Sequence, residues 1–483
     1  MRPLTIGVDL GTSAVKVVAL GLDGEVLGEA SASFGTDSTL PLQAEQHTSD
    51  WLRAASGAMH TLARDSGEKL GHLWTKGVVA VGLTGQLPTL VCLEGDKPIG
   101  PAITWKDGRA DAWASSRLDT GRRALMYART GMPIDGRYLA PMLRYHFPDR
   151  VASMGSVLSA KDYLLWELTG LKLTEPSTAA GYGVYDLEDR RFSAGLAEFW
   201  QVPMSILPQI RPANVLAGPL TEDGASLLGL RTGTPVSTGA ADSVCASFAM
   251  AGLDERTVSI SFGSSTVVVG ATSEPRRDTA ARYLVTPHVN DAWYGREMDL
   301  LATGTGYRWL SHLFSWPDGE LDRRAAQSAA GARGLTFPPY LAGGEQGALW
   351  NPRLKGAIFG LALRHSRDDI ARAFLEGVFF EVRRCIEVLA ETAPVETIMV
   401  SGNLVSSPSS MQMLADILHR PVGGISERSP AAIGAAIMAR RATGIEPDLA
   451  PRARANALRP DEASARAYSD IYRRYVGLAG LCE

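Results

Sequence analysis

Two stretches of this chain echo each other. "IGVDLGTSAVKVVAL" runs from Ile6 to Leu20, and "VSISFGSSTVVVGAT" runs from Val258 to Thr272. In each, alternating apolar residues enter a Gly-Thr-Ser or Gly-Ser-Ser turn, and a second β-rich run leaves it. A hairpin repeated at half the chain length predicts two related α/β domains, each opening with such a hairpin. The expected boundary lies near Gly252 to Arg256. The second copy has Ser261, two residues before Gly263, where the first has Asp9 two residues before Gly11.

The turns point to a ligand. Gly11 permits positive φ and lets a ligand approach the backbone. Thr12 and Ser13 offer hydroxyls and amides that suit phosphate oxygens. Asp9, ending a buried strand, is a candidate Mg2+ partner, because Mg2+ favours carboxylate and water oxygens. The alternative is an ordinary hairpin with an edge strand.

Composition excludes several classes. The net charge of −4 gives no reason to expect nucleic acid or an anionic membrane. The four cysteines, Cys92, Cys245, Cys385 and Cys482, form no C-x-x-C, so neither zinc site nor disulfide framework is indicated. No apolar run is long enough to span a bilayer, and a cytoplasmic location is expected. There is no G-x-x-x-x-G-K-[ST] and no G-x-S-x-G. The Gly304 and Gly306 run lacks the third glycine of a dinucleotide fingerprint.

After each hairpin, strands alternate with helices. "VVAVGL", from Val78, reads as a buried strand, and "TPVSTGAADSVCASFAMAG" as a strand, a turn and a helix starting near Asp242. "SRDDIARAFLEGVFFEVRRCIEVLAE" is the clearest helix, with Ser366 and Asp369 as a capping pair and an apolar stripe from Ile370 to Leu389. "SPAAIGAAIMARRATG" is another, with Ser429 as N-cap and Pro430 in the first turn. Its Gly434, Ala435 and Ala436 suit close packing against a neighbour. Such alternation implies helix-covered sheets, with ligands beyond the carboxyl ends of the strands.

Candidate chemistry follows from position. Asp242, at a helix N-terminus where the dipole favours its ionised form, is placed to accept an alcohol proton during phosphoryl transfer, or simply to cap the helix. In "TWKDGR", Trp105 offers a face for a sugar, with Asp107 and Arg109 for its hydroxyls; a surface turn with a charge pair is the alternative. Gln86, in "GLTGQLPT", carries a neutral amide suited to hydroxyls, unless it lies in a plain turn. Glu345, in a Gly-rich loop, is a candidate contact for metal-bound water or a solvated loop residue. Gly402 and Asn403 follow a strand, in a place suited to a nucleotide base or ribose or to a simple strand-to-helix connection.

These stretches together resemble the FGGY carbohydrate kinases, nearest in length and order to xylulokinase-like members. "DLGTSAVK" matches the first phosphate hairpin, and "WKDGR" the sugar loop W-x-D-x-R. "KDYLLWELTG" and "TEPSTAAGYGVYDL" match the lid-proximal segment. "GAADS" resembles the segment carrying the catalytic base, and "SISFGSST" the second phosphate hairpin. "PYLAGGEQGALWNP", "RAFLEGVFFEVR", "LADILHRPV" and "AAIGAAIMA" complete the order. Three departures stand out: Leu87-Pro88 replaces Met-His, Ser243 replaces the Asn after the base, and Gly402-Asn403-Leu404 replaces Gly-Gly-Gly in the adenosine loop.

The resemblance implies an actin-like fold of two ribonuclease H-like domains with ATP and sugar in the cleft between them. Residues 1–252 are expected to form a sugar-binding domain, 253–445 a nucleotide-binding domain, and 446–483 a helical tail. It implies ATP- and Mg2+-dependent phosphorylation of a ketose or polyol, D-xylulose among them. Asp242 is the implied base, and Asp9 the second catalytic residue and metal carboxylate. Gln86, Trp105, Asp107 and Arg109 are implied to bind sugar. Gly11, Thr12, Ser13, Lys16, Gly263, Ser264, Ser265, Gly402 and Asn403 are implied to bind nucleotide. Partners are a small sugar and ATP, with no nucleic acid or membrane; a homodimer is a candidate assembly. Two other readings compete: a non-catalytic sugar or nucleotide sensor on this fold, and an actin-like or heat-shock-type ATPase. Retention of both Asp9 and Asp242 disfavours the first, and "WKDGR" disfavours the second.

Overall fold

The computed structural model describes residues 3–21, 23–66, 77–342, 346–405, 407–425, 429–445 and 457–483; Glu345 lies outside them. The first half is built on strands β1 (Leu4–Leu10), β2 (Ala14–Gly21), β3 (Val26–Ser33), β4 (Val78–Gly85), β5 (Leu216–Pro219) and β6 (Pro235–Ser237). They lie in the order β5-β6-β4-β1-β2-β3, with β1, β2 and β3 antiparallel and β4 parallel to β1. The second sheet uses β7 (Thr257–Phe262), β8 (Thr266–Thr272), β9 (Leu284–Pro287), β10 (Tyr294–Leu300), β11 (Thr397–Gly402) and β12 (Val422–Gly424). Its order is β9-β10-β8-β7-β11-β12. Here too the neighbours β7, β8 and β10 are antiparallel, and β11 runs parallel to β7. The echo of the hairpins is thus an echo of whole sheets, as an actin-like duplicated fold requires.

Each parallel return needs a crossover, and helices supply it. Helix α1 (Thr48–Asp65) stands between β3 and β4 in sequence. Helix α2 is Asp242–Ala251 and α3 is Thr303–Leu313, while α4 (Arg367–Ala390) occupies the crossover before β11. The expected capping pair opens α4: Ser366 accepts from the Asp369 N–H, and the Asp369 carboxylate accepts from the Ser366 N–H. Phe374, Val378, Val382, Ile386 and Leu389 of its stripe are buried. Helix α5 is Pro408–Leu418 and α6 is Pro430–Ala442. Ser429 occupies the N-cap of α6, but its side chain makes no capping bond. A last helix, α7 (Glu462–Leu478), lies on α4, with Tyr468 and Tyr475 donating to Glu376 and Glu381 at 2.9 and 2.7 Å. No described helix is long and apolar enough to cross a membrane.

The halves are joined by α6. Although it comes late in the chain, it packs on α2 and on β1 and β4 of the first half. Glycines make this possible. Gly7 and Gly82 face each other across the β1–β4 ladder. A Cβ at Gly7 would stand 1.8 Å from Ala432 O, and one at Gly82 1.9 Å from Ala435 O. From the helix side, a Cβ at Gly434 would stand 2.0 Å from Cys245 O. The small residues expected to allow close packing therefore bring backbone against backbone on both faces of α6.

Gly434→Ala separates propensity from packing. Alanine is the better helix former by about 1 kcal/mol, yet overpacking costs roughly 1–3 kcal/mol. Urea unfolding is expected to show net destabilisation. Gly477→Ala, in α7 with nothing within 4 Å of the added atom, is the control and is expected to be neutral or stabilising.

Candidate active site

Both hairpin turns reach one cavity of about 160 Å³ between the halves, with Thr12 and Ser265 in its walls. The first turn closes through Gly11 N–H to Ala14 O at 3.1 Å. Gly11 is not in the left-handed region, so the expected reason for a glycine does not hold. A Cβ would lie tightly, 3.2 Å from Ala14 O, and in ordinary contact with Asp9 Oδ2 at 3.9 Å. Ser13 is exposed at the tip. Thr12 is braced twice, its carbonyl accepting from Gln46 Nε2 at 2.8 Å and its hydroxyl from Trp105 Nε1 at 3.2 Å.

The second turn has a different brace. Gly263 N–H donates to Ser265 O at 2.9 Å, and Ser264 O accepts from Thr305 N–H at 3.0 Å. The α3 terminus approaches so closely that a Cβ at Gly304 would lie 2.0 Å from Gly263 O. Arg308 reaches Ser264 Oγ at 3.3 Å. Partial burial and Arg308 in the other half together push Lys106 below its usual range.

Asp9 ends β1 opposite Lys16 of β2. Its Oδ1 is buried with no hydrogen-bond partner. Burial raises its carboxyl pKa, and Lys16 opposes that shift.

Asp242 is the first residue of α2. Its side chain makes no N-cap bond; its Oδ1 accepts from the adjacent Ser243 N–H at 2.8 Å. Several contacts fix its approach. Ala240 and Ala241 pair with Thr84 and Gly85 of β4. Ser177 Oγ accepts from Ala241 N–H at 2.9 Å and donates to the buried Glu175. Gly239 has φ 72°. A Cβ there would collide with Leu83 O at 1.7 Å. The expectation that the helix terminus keeps Asp242 ionised is corrected. Burial, and then Asp9, push it up to about 7, because desolvation and a like charge both disfavour the anion.

From the second half, β10 adds Glu297 and Asp299 to the same wall. Glu297 Oε2 accepts from Ser243 Oγ at 3.0 Å and from Thr286 Oγ1 at 3.2 Å. The first of these bonds crosses the cleft. Burial, followed by the neighbouring Asp299, raises the Glu297 carboxyl. Burial raises Asp299, with Arg137 opposing.

Of the sugar-loop residues, Trp105 lines the cavity. Gln86, Asp107 and Arg109 stand behind it, each engaged by the protein. Gln86 Nε2 donates to Gln46 Oε1 at 2.8 Å, and its own Oε1 is buried without a partner. Asp107 accepts from Ala44 N–H at 2.9 Å, from Arg109 N–H at 3.1 Å and from the Arg109 guanidinium. Burial alone would raise Asp107, but His146 Nε2 at 3.6 Å and bonds from Arg109 and the backbone hold it well below the usual carboxylate range. Arg109 is bonded to Glu45 at 2.5 Å as well.

Gly402 has φ 107°. It pairs with Phe262 at the end of β7. A Cβ there would lie 2.0 Å from Phe262 O. Asn403, exposed just beyond, is therefore beside the second hairpin rather than the first.

Sequence reasoning missed Gln46, Ser177, Glu297 and Asp299. Two carboxylates in the strand Tyr294–Leu300, whose residues are almost all buried, were the available signal for the last pair. Among the described residues no group of three or more His, Cys, Asp or Glu side chains could hold a metal by itself.

With this geometry established, comparison with known proteins is informative. The N-terminal domain of the FGGY family of carbohydrate kinases matches residues 4–249, and the C-terminal domain matches residues 258–443. A xylulose kinase of Staphylococcus xylosus is 26% identical, over 97% of this chain and 98% of its own. A gluconokinase of Bacillus licheniformis is 24% identical, over 100% and 97%. Among solved structures, xylulose kinase from Rhodospirillum rubrum superposes with a TM-score of 0.85 at 28% identity, covering 99% of this chain and 98% of its own. Gluconate kinase from Lactobacillus acidophilus shares the fold at a TM-score of 0.90 and 23% identity, covering 100% and 98%. The actin-like sheets, the cleft between them and the two matched domains make one conclusion: this chain belongs to the FGGY family of carbohydrate kinases and is a phosphotransferase acting on a sugar with ATP.

Proposed function

We propose that the chain transfers the γ-phosphate of ATP to a hydroxyl of a ketose or polyol, D-xylulose among the candidates, with Asp242 as the general base. The observation that carries this reading is the cavity with Asp242 in its wall and a Gly-Thr/Ser turn at each side. The acceptor hydroxyl gives its proton to Asp242 as its oxygen bonds to the γ-phosphorus. The bond from that phosphorus to the β–γ bridging oxygen breaks, and ADP leaves with the electron pair. A base works best with a pKa near the operating pH, and a carboxyl pushed up to about 7 meets that condition.

Residues Gly11, Thr12, Ser13 and Lys16 from one half, and Gly263, Ser264 and Ser265 from the other, serve the phosphates. Asn403 serves the nucleoside, beside the second turn. Residues up to about Gly252 carry the sugar side, and those from about Leu253 the nucleotide side. Trp105 offers its face to the sugar, while Gln86, Asp107 and Arg109 hold its loop and the first turn in register. Asp9 fits Mg2+, because its buried Oδ1 lacks a partner and Mg2+ characteristically takes one or two carboxylates with phosphate and water. Bound there, the ion would neutralise charge on the phosphates. Four buried free cysteines fit a reducing cytoplasm.

The decisive test is Asp242→Asn, which keeps shape and loses basicity. Removing a general base costs about 10²- to 10⁴-fold, so coupled ADP release should fall by a comparable factor while both substrates still bind. Near-normal turnover would return Asp242 to a structural role. Asp107→Ala is expected to raise the sugar KM far more than the ATP KM, through release of the Trp105 loop; equal effects would make that loop a general brace. Asn403→Gly is expected to change the ATP KM and leave the sugar KM nearly unaltered, and a selective change in sugar binding would misplace the nucleoside.

A further inference from the structure

We propose that Glu297 and Asp299 make this site select an uncharged ketose or polyol over an aldonate, because they face the acceptor with carboxyl groups that no basic side chain in the cavity balances. The inference rests on the phosphotransfer reading of the same cavity. Three carboxyls, Asp242, Glu297 and Asp299, line it, with no lysine, arginine or histidine among the described lining residues. The basic groups nearby lie outside that lining. Lys16 stands opposite Asp9 in the β1–β2 ladder. Arg137 acts on Asp299 from behind the wall while bonded to Asp135, and Arg308 reaches Ser264. Lys106 lies over the Trp105 ring, with Nζ 5.3 Å from its centroid.

Glu297 is nine-tenths buried, at 9% exposure. Ser243 and Thr286 both donate to its Oε2, which leaves Oε1 for an acceptor. Asp299 Oδ1 is buried with no partner. An ionised carboxyl accepts from a hydroxyl, and a protonated one both donates and accepts. Either state therefore suits a neutral polyol. The carbon faces of the acceptor would meet Trp105, Tyr138, Met132 and Leu87. An aldonate carboxylate would be repelled by each of these carboxyls that is ionised, and each that is protonated offers it one hydrogen bond and no charge. It would find no cation to compensate the loss of its hydration.

Xylitol and D-xylonate form a matched pair, differing only in a terminal CH2OH against a carboxylate. Titration calorimetry on the full chain is expected to give xylitol an affinity at least about tenfold higher than D-xylonate. Glu297→Gln/Asp299→Asn should shrink that ratio to about threefold or less by tightening D-xylonate, and Asp299→Asn alone should move it the same way. Equal binding in the unaltered chain, tighter binding of D-xylonate, no binding of either compound, or a ratio the variants leave unchanged would each overturn the proposal. ADP release with D-xylulose, xylitol and D-gluconate is measured in parallel. A preserved binding ratio without turnover of any acceptor would overturn the phosphotransfer reading and leave the selectivity standing. Turnover of D-gluconate above both neutral acceptors would overturn the selectivity and leave phosphotransfer standing.

Discussion

The contact on which this structure depends is the meeting of α6 with β1 and β4. Three glycines let backbone touch backbone: Gly7 and Gly82 on the sheet and Gly434 on the helix. Nothing larger fits. The consequence reaches the cleft, because β1 ends in Asp9 and β4 runs on toward Gln86, while α2, on the other face of α6, begins with Asp242. The relative position of those two carboxyls is therefore set by close-packed main chain rather than by flexible side chains. Close-packed interiors transmit small displacements, so a shift of α6 would move both ends of the reaction axis together.

Charge is the second constraint. Asp9, Asp242, Glu297 and Asp299 are all raised, burial being the largest cause for each. Concentrating carboxyls out of water destabilises their ionised forms, and such perturbation is a mark of functional sites. The protein offsets part of this locally: Lys16 acts on Asp9, Arg137 on Asp299, and hydroxyls of Ser243 and Thr286 bond Glu297. Asp107 shows the opposite solution. It is buried, at 1% exposure, yet its surroundings, with bonds from Arg109 and the backbone, lower its pKa and commit it to the fold.

Much of this was legible in the sequence, for identifiable reasons. The hairpins were readable because alternation and a Gly-rich turn are local signals, and the Ser366 cap and the stripe of α4 are local as well. Motif order carried the family. What the sequence hid was long-range. Gly7 and Gly82 are ordinary strand glycines until Ala432 and Ala435 meet them, 425 and 353 residues later in the numbering. Glu297 and Asp299 gave only a weak signal, two carboxylates in an otherwise ordinary strand. Gln46 braces Thr12 across a separation of 34 residues. Asp242 was placed correctly at a helix start, but its ionisation was misjudged, because the dipole is a local effect while burial and, after it, Asp9 come from the tertiary fold.

The asymmetry between Asp9 and Ser261 in the two hairpins has a physical explanation. Duplication supplied two similar turns, yet Asp9 has Ser261 as its counterpart. A phosphate needs amides and hydroxyls from both sides, and both turns keep them. It does not need two strand-end carboxylates. Burial already raises Asp9, Asp242, Glu297 and Asp299, and a further buried carboxyl close to them would disfavour their ionised forms still more. Serine at that position keeps a polar group at the end of β7 without adding charge. The repeated fold therefore keeps a polar Gly-Thr/Ser turn in both halves and breaks the symmetry at a position where it would place another anion.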